Sequence, residues 1–216
     1  MSRPPTILVI NPSSSIPMTE AISTGLDRFR LPGGPAIECF GIAEGPEFIM
    51  TEEDILRCGL QVGEVVASRP DAAAIVIACY AQPGLHHART LTKAPVIGIQ
   101  DAAVLTAIGM ADRFGVIALS KASVARHMRN LRWLGVEHRL AGEVVLKREG
   151  EGDDALFAGL VAAGEELKAK GAEVAIFGCS GFPAHRARLE EALGIPVIDP
   201  TQTAIGAALG QVLRSF

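Results

Sequence analysis

One tryptophan, one tyrosine and eight phenylalanines are spread over 216 residues, and the 20 lysines and arginines form no basic run. With so few flat side chains to stack on bases and no cationic stripe to follow phosphates, the chain lacks what nucleic-acid binding requires. Long apolar runs are scarce as well. The opening run, Ile7-Leu8-Val9-Ile10, is stopped by Asn11-Pro12, too short for a signal-peptide core or a membrane span, so a cytoplasmic location and no membrane partner are expected. The four cysteines, at 39, 58, 79 and 179, show neither C-x-x-C nor the paired Cys/His spacings of a zinc site, and reduced thiols with no metal are expected. G-x-G-x-x-G, the P-loop, H-E-x-x-H and G-x-S-x-G are all missing, which removes support for nicotinamide, nucleotide, zinc-hydrolase and serine-hydrolase chemistry.

What is present is a duplication. Cys79 in Val76-Ile77-Ala78-Cys79-Tyr80-Ala81-Gln82-Pro83 and Cys179 in Ile176-Phe177-Gly178-Cys179-Ser180-Gly181-Phe182-Pro183 each end an apolar run and each precede a proline by four residues. Pro95-Val96-Ile97-Gly98-Ile99 follows the first cysteine by 16 residues, and Pro196-Val197-Ile198-Asp199-Pro200 follows the second by 17. Two copies facing each other across a cleft would bring two thiols to one small molecule from opposite sides. That geometry removes a proton from one face of a carbon and returns one to the other, the work of a cofactor-free racemase. Cys39 and Cys58 have no counterpart in the second copy and read as packing residues.

Apolar runs at Ile7–Ile10, Ala73–Ala78, Val96–Ile99, Phe114–Leu119, Val174–Phe177 and Val197–Ile198 alternate with longer helix-compatible segments. The pattern predicts an α/β fold of parallel sheets flanked by helices, and the duplication makes it two pseudo-symmetric lobes, each with its own sheet, with the active site expected in the cleft between them. Helices are expected at Met18–Phe29, Glu52–Ser68, Leu85–Thr92, Ala102–Ala111, Ser123–Leu134, Asp154–Lys170, His185–Leu193 and Thr203–Leu213. Lobe boundaries fall at 1–97 plus 199–216 for the first and 98–198 for the second. Gly33-Gly34-Pro35 and Glu149–Asp153 read as surface loops.

Ligands of open parallel sheets collect beyond the carboxyl ends of the strands, where both cysteines are placed. Pro83 and Pro183 suit the first turn of a following helix, so each thiol is expected just ahead of a helix dipole that favours thiolate. Lowering a thiol from about 8.5 to about 7 needs roughly 2 kcal/mol. Backbone N–H groups of Tyr80, Ala81, Ser180 and Gly181 are candidates to hold a carboxylate or ring carbonyl as negative charge develops. The Ser13-Ser14-Ser15 run reads as a turn and helix cap. Asn11, Ser14 and the matching Ser120 are also candidate substrate contacts, because their loops flank the cysteine loops. His86, His87 and His185 read as helix residues rather than ligands or bases.

These stretches resemble the aspartate/glutamate racemase superfamily, and within it the hydantoin and allantoin racemase branch. The resemblance rests on Ile10-Asn11-Pro12-Ser13-Ser14-Ser15 with Met18-Thr19, on Gly45-Pro46-Glu47-Phe48-Ile49 and on the two cysteine segments, and covers nearly the whole chain. It implies cofactor-independent proton transfer at a carbon next to a carbonyl, with Cys79 and Cys179 as acid/base pair. It also implies a small-molecule substrate of hydantoin or related amino-acid-derived type, Pro46 and Phe48 among the substrate contacts, and a homo-oligomer. The sequence departs from the branch in having Tyr80-Ala81-Gln82 where Phe-Gly-Asp is common, and Phe182 where methionine is common. A maleate-type cis–trans isomerase, a malonate-derivative decarboxylase and a non-enzymatic small-molecule binder are the alternatives.

Overall fold

The computed structural model describes residues 4–214. Strands and helices alternate in two matching series. The first is β1 (Thr6–Asn11), α1 (Ile16–Gly25), β2 (Ala36–Gly41), α2 (Glu52–Ser68), β3 (Ala72–Ile77), α3 (Leu85–Leu91), β4 (Val96–Gly98) and α4 (Ile99–Met110). The second is β5 (Phe114–Ala118), α5 (Lys121–Leu134), β6 (Leu140–Val145), α6 (Asp153–Ala169), β7 (Val174–Phe177), α7 (Arg186–Leu193), β8 (Val197–Ile198) and α8 (Pro200–Leu213).

Each series builds one four-stranded parallel sheet, in the orders β2-β1-β3-β4 and β6-β5-β7-β8. The expected two-lobed α/β architecture is therefore present. Right-handed crossovers sort the helices: the chain steps from β1 outward to β2, then back past β1 to β3 and β4, so α1 lies on one face and α2 and α3 on the other. The second lobe repeats this with α5 against α6 and α7.

The central strands are continuous apolar runs because both of their faces are covered; every residue of β1, β5 and β7 is buried. Under α2 and α3 lie Leu8, Ile10, Ile75, Ile77, Val62, Val66 and Leu85. Their counterparts under α6 and α7 are Ile117, Ala175, Phe177, Leu160, Leu167, Leu189 and Leu193. The edge strands β2 and β6 escape a reading by apolar runs, since Glu38 and Glu143 interrupt them and their burial is mixed.

Most helix bounds agree with those expected. At the head of α2, Thr51 Oγ1 accepts from the Asp54 N–H at 3.0 Å while Asp54 Oδ2 accepts from the Thr51 N–H at 2.9 Å, a capping box that sets the start. α4 and α8 begin three residues earlier than expected, α4 directly after β4 and α8 one residue after β8, so Ile99 is the first residue of a helix rather than the last of a strand. The segment expected as one helix through Phe29 ends at Gly25 and is followed by a separate 3-10 turn, Asp27–Phe29.

The chain divides into two compact units, one comprising residues up to Ala102 together with those from Thr201 onward, the other Ala103–Pro200. From Ala103 on, α4 thus belongs to the second unit, whereas α8 returns to the first, where Gln202 Nε2 donates to the Gly25 carbonyl at the end of α1. Among the described residues no helix is long and apolar enough to cross a membrane.

The first cysteine loop re-enters the fold through Gly84, at φ +74°, where an added Cβ would lie 2.5 Å from the Gly59 carbonyl oxygen of α2. Gly84→Ala combines a left-handed backbone with a main-chain clash and is expected to destabilise the protein by about 2–4 kcal/mol. Urea denaturation checks this; a midpoint equal to the parent's would show that α2 and α3 do not need so close an approach.

Candidate active site

In the first lobe, Cys79 lies just past the carboxyl end of β3. The Ala78 N–H donates to the Ile10 carbonyl at 2.8 Å, extending the ladder by one bond and delivering the next residue, Cys79, beyond the sheet edge. The second lobe repeats the device: the Gly178 N–H donates to the Ile117 carbonyl at 2.8 Å and Cys179 follows. The neighbouring bonds match as well. Ile42 bonds to Asn11 and Leu146 to Ala118 across the edge strands, and Ile75 to Pro95 and Ala175 to Pro196 on the other side. As whole residues both cysteines are partly exposed, while the Cys179 sulfur itself is enclosed.

Around Cys79 the loop closes with the Gln82 N–H donating to the Cys79 carbonyl at 2.9 Å. Gln82 is buried and, alone among the described non-glycine residues, has positive φ, 51°. Its carboxamide holds the head of α4: Nε2 donates to Asp101 Oδ1 and Oε1 accepts from the Asp101 N–H, both at 2.8 Å. These bonds offset the left-handed backbone, a strain of about 1–2 kcal/mol. Gln82 is therefore turned to the head of α4. Tyr80 is buried and Ala81 partly exposed.

The loop after β1 is built by Asn11. Its Oδ1 accepts from the Ser13 N–H and Ser13 Oγ at 3.2 and 3.1 Å, while Nδ2 donates to Thr19 Oγ1 at 2.9 Å. Asn11 thus shapes the loop, with a second amide N–H to offer a ligand. The Ser14 N–H donates to the Pro46 carbonyl at 3.1 Å, which brings these two candidates together. Gly45 permits the approach, because a Cβ there would stand 2.6 Å from the Pro12 carbonyl. The buried Cys58 thiol donates to that same carbonyl at 3.4 Å, the packing role expected of it. Phe48 is 58% exposed, an aromatic surface beside the Ser14–Pro46 contact in sequence but turned to solvent.

In the second lobe Ser120 caps α5, its Oγ accepting from the Ser123 N–H at 3.2 Å. The matched strand bonds align Asn11 with Ala118, and the residue that caps α1 is Ser15. The counterpart of Ser120 as a cap is accordingly Ser15, not Ser14, because the loop before α1 is two residues longer than the loop before α5.

The helix-dipole expectation needs correction. α3 starts at Leu85, six residues past Cys79, and α7 starts at Arg186 after a 3-10 turn over Pro183–His185, so neither proline places a long helix directly behind its thiol. Burial pushes the Cys179 thiol up to about 11, assisted by the negative charge of Asp199; the N–H groups of Gly181 and Ser180 and the Ser180 side chain work in the opposite direction without prevailing. The Gly181 N–H donates to Cys179 Sγ at 3.3 Å. Of the donors expected to cradle a substrate anion, those of Gly181 and Ser180 are thus turned toward the sulfur. Phe182 packs against Phe177 and His185, with ring centroids 5.7 and 6.4 Å away, and so joins the core. Among the described residues no three His, Cys, Asp or Glu side chains converge as a metal site needs. Sequence reasoning passed over the Gln82–Asp101 pair and Asp199; the signal was an aspartate close behind each Pro-Val-Ile segment.

Gln82→Ala removes both partners of Asp101 on that side and frees the loop that carries Cys79. A loss of about 2–3 kcal/mol is expected, with faster hydrogen exchange in the peptide over residues 78–85. Unchanged stability and exchange would mean that the pair does not hold the loop.

The whole-chain comparisons agree in kind. The Asp/Glu/Hydantoin racemase family model matches residues 7–208. A hydantoin racemase from Paenarthrobacter aurescens is 33% identical, covering 97% of this chain and 92% of that protein. Among solved structures, an allantoin racemase from Klebsiella pneumoniae superposes with a TM-score of 0.88 at 26% identity, over 98% of this chain and 89% of that one. A glutamate racemase from Francisella tularensis, at 19% identity and a TM-score of 0.70 over 98% of this chain and 81% of that one, shares the fold.

Proposed function

The chain belongs to the Asp/Glu/Hydantoin racemase family, and from that premise we propose that it is a cofactor-independent racemase in which Cys79 and Cys179 are the acid/base pair. The observation that carries the reading is the repeated main-chain bond that puts one cysteine past the third strand of each lobe, at the same point of two matching sheets. The substrate is a small molecule with an acidic C–H next to a carbonyl, of hydantoin or related amino-acid-derived type.

In this mechanism one cysteine, as thiolate, takes the proton from the carbon while the other, as thiol, delivers its proton to the opposite face; the reverse enantiomer exchanges the roles. Negative charge that develops on the carbonyl needs donors, and the cysteine-loop N–H groups of Tyr80 and Ala81 and the Ser14–Pro46 loop are the candidates to supply them. Asn11 and Ser120 shape the loops after β1 and β5 of their own lobes, and Ser180 and Gly181 donate toward the Cys179 sulfur.

Incubation with 5-substituted hydantoins, allantoin, aspartate and glutamate in deuterium oxide should show loss of the α-proton for at least one of them by NMR. A serine hydroxyl is a far weaker acid than a thiol, so Cys79→Ser and Cys179→Ser should each lower racemisation by at least about 10³-fold. Each should keep slow exchange with one enantiomer, and the two should prefer opposite enantiomers. Exchange of the same enantiomer by both variants, or near-parental racemisation by either, would require a one-cysteine chemistry instead.

A further inference from the structure

The two cysteine loops share a frame but not an electrostatic setting. Where the first lobe has Gly98 at the end of β4, the second has Asp199 directly after β8. A Cβ on Gly98 would fall inside the Gln82 carboxamide, so in the first lobe a neutral amide fills this place. In the second lobe the place carries a carboxylate that is 1% exposed. β8 pairs with β7 through Ala175↔Val197 and Ile176↔Ile198, so one further step sets Asp199 beside Phe177, two residues before Cys179.

We propose that Asp199 is a positioning residue for Cys179, its buried carboxylate keeping that residue in the thiol form so that the resting protein presents Cys179 as the proton donor of the pair. The role in turnover rests on the two-thiol reading above. Burial is the larger influence on the Cys179 sulfur, and the charge of Asp199 adds to it in opposing the thiolate. The nearest titratable group along the loop, His185, is turned to Asp153, with Nε2 3.3 Å from Oδ1.

The proton balance gives this a consequence. In the favoured direction Cys79 takes the α-proton as the carbon–hydrogen bond breaks, and Cys179 gives up its S–H proton to the other face. Cys79 ends as thiol and Cys179 as thiolate. Solvent then returns the protons to their starting places, and the Asp199 carboxylate drives that return by making the Cys179 thiolate the costlier form.

Asp199 precedes Pro200, the first residue of α8, and Asn and Ser are as well accepted as Asp just before a helix, so Asp199→Asn and Asp199→Ser remove the charge with residue types suited to the position. The measurement is alkylation of each cysteine by iodoacetamide between pH 6 and 11, followed by peptide mapping, with folding checked by circular dichroism. Alkylation follows the thiolate fraction. In both variants the Cys179 profile should move to lower pH by about one unit, which is about tenfold faster labelling at pH 8, while the Cys79 profile stays in place. A Cys179 profile that is unmoved, or displaced to higher pH, in a folded variant overturns the proposal. So does failure of both variants to fold, which would make Asp199 structural. Proton exchange by the parent in deuterium oxide is read separately: its absence alongside the expected shift would sink the racemase reading and leave the electrostatic role of Asp199 standing.

Discussion

The placement of the cysteine in each lobe depends on one main-chain hydrogen bond, from Ala78 to Ile10 in the first and from Gly178 to Ile117 in the second. A parallel strand that ends inside its sheet leaves its last residues bonded to neighbours and its side chains packed. By adding one bond past the end of regular pairing, the chain is carried to the sheet edge with its direction still set by the central strand, and the next residue emerges where helices no longer cover it. The cysteine in each lobe is that residue. Buried apolar strands beneath, Ile7 to Ile10 and Phe114 to Ala118, keep the anchor from shifting.

On this common frame the lobes have diverged in the polar groups that back the thiols. Gln82 reaches across to Asp101 and closes the first loop with a neutral amide, at the expense of a left-handed backbone. The second loop lacks that bridge; Phe182, at the matching point, folds onto Phe177 and the core, and Asp199 brings a carboxylate toward the sulfur. A racemase needs its two acid/base groups in opposite protonation states at the start of each turnover, and unequal surroundings provide that inequality where a symmetric pair would not. Family membership points to racemase chemistry; under the proposed two-thiol mechanism, the asymmetry would set two like groups to unlike tasks.

The readable parts of the sequence were those in which one physical signal dominates. Apolar runs marked the six strands covered on both faces or closing a sheet, and the duplicated Cys-x-x-x-Pro and Pro-Val-Ile segments aligned the two lobes. β2 and β6 went unread, because an edge strand needs no continuous apolar run and Glu38 and Glu143 break theirs. The starts of α4 and α8 were misplaced because Ile99 and Pro200 continue the composition of the strands before them. Ser120 was matched to Ser14 on hydroxyl content, whereas the cap geometry pairs it with Ser15.

By itself the sequence determined the duplication and the two-lobed α/β class, since both follow from local composition and spacing repeated along the chain, and its motifs carried the resemblance to the family. Only the tertiary structure decided which groups surround each thiol. Asp101 is 19 residues from Gln82 and Asp199 is 20 from Cys179, and it is the sheet ladder from β3 to β4 and from β7 to β8 that brings them near. The direction of the Cys179 shift was decided there too: proximity to a helix, which a sequence suggests, favours thiolate, but burial and a neighbouring carboxylate, which only packing creates, outweigh it.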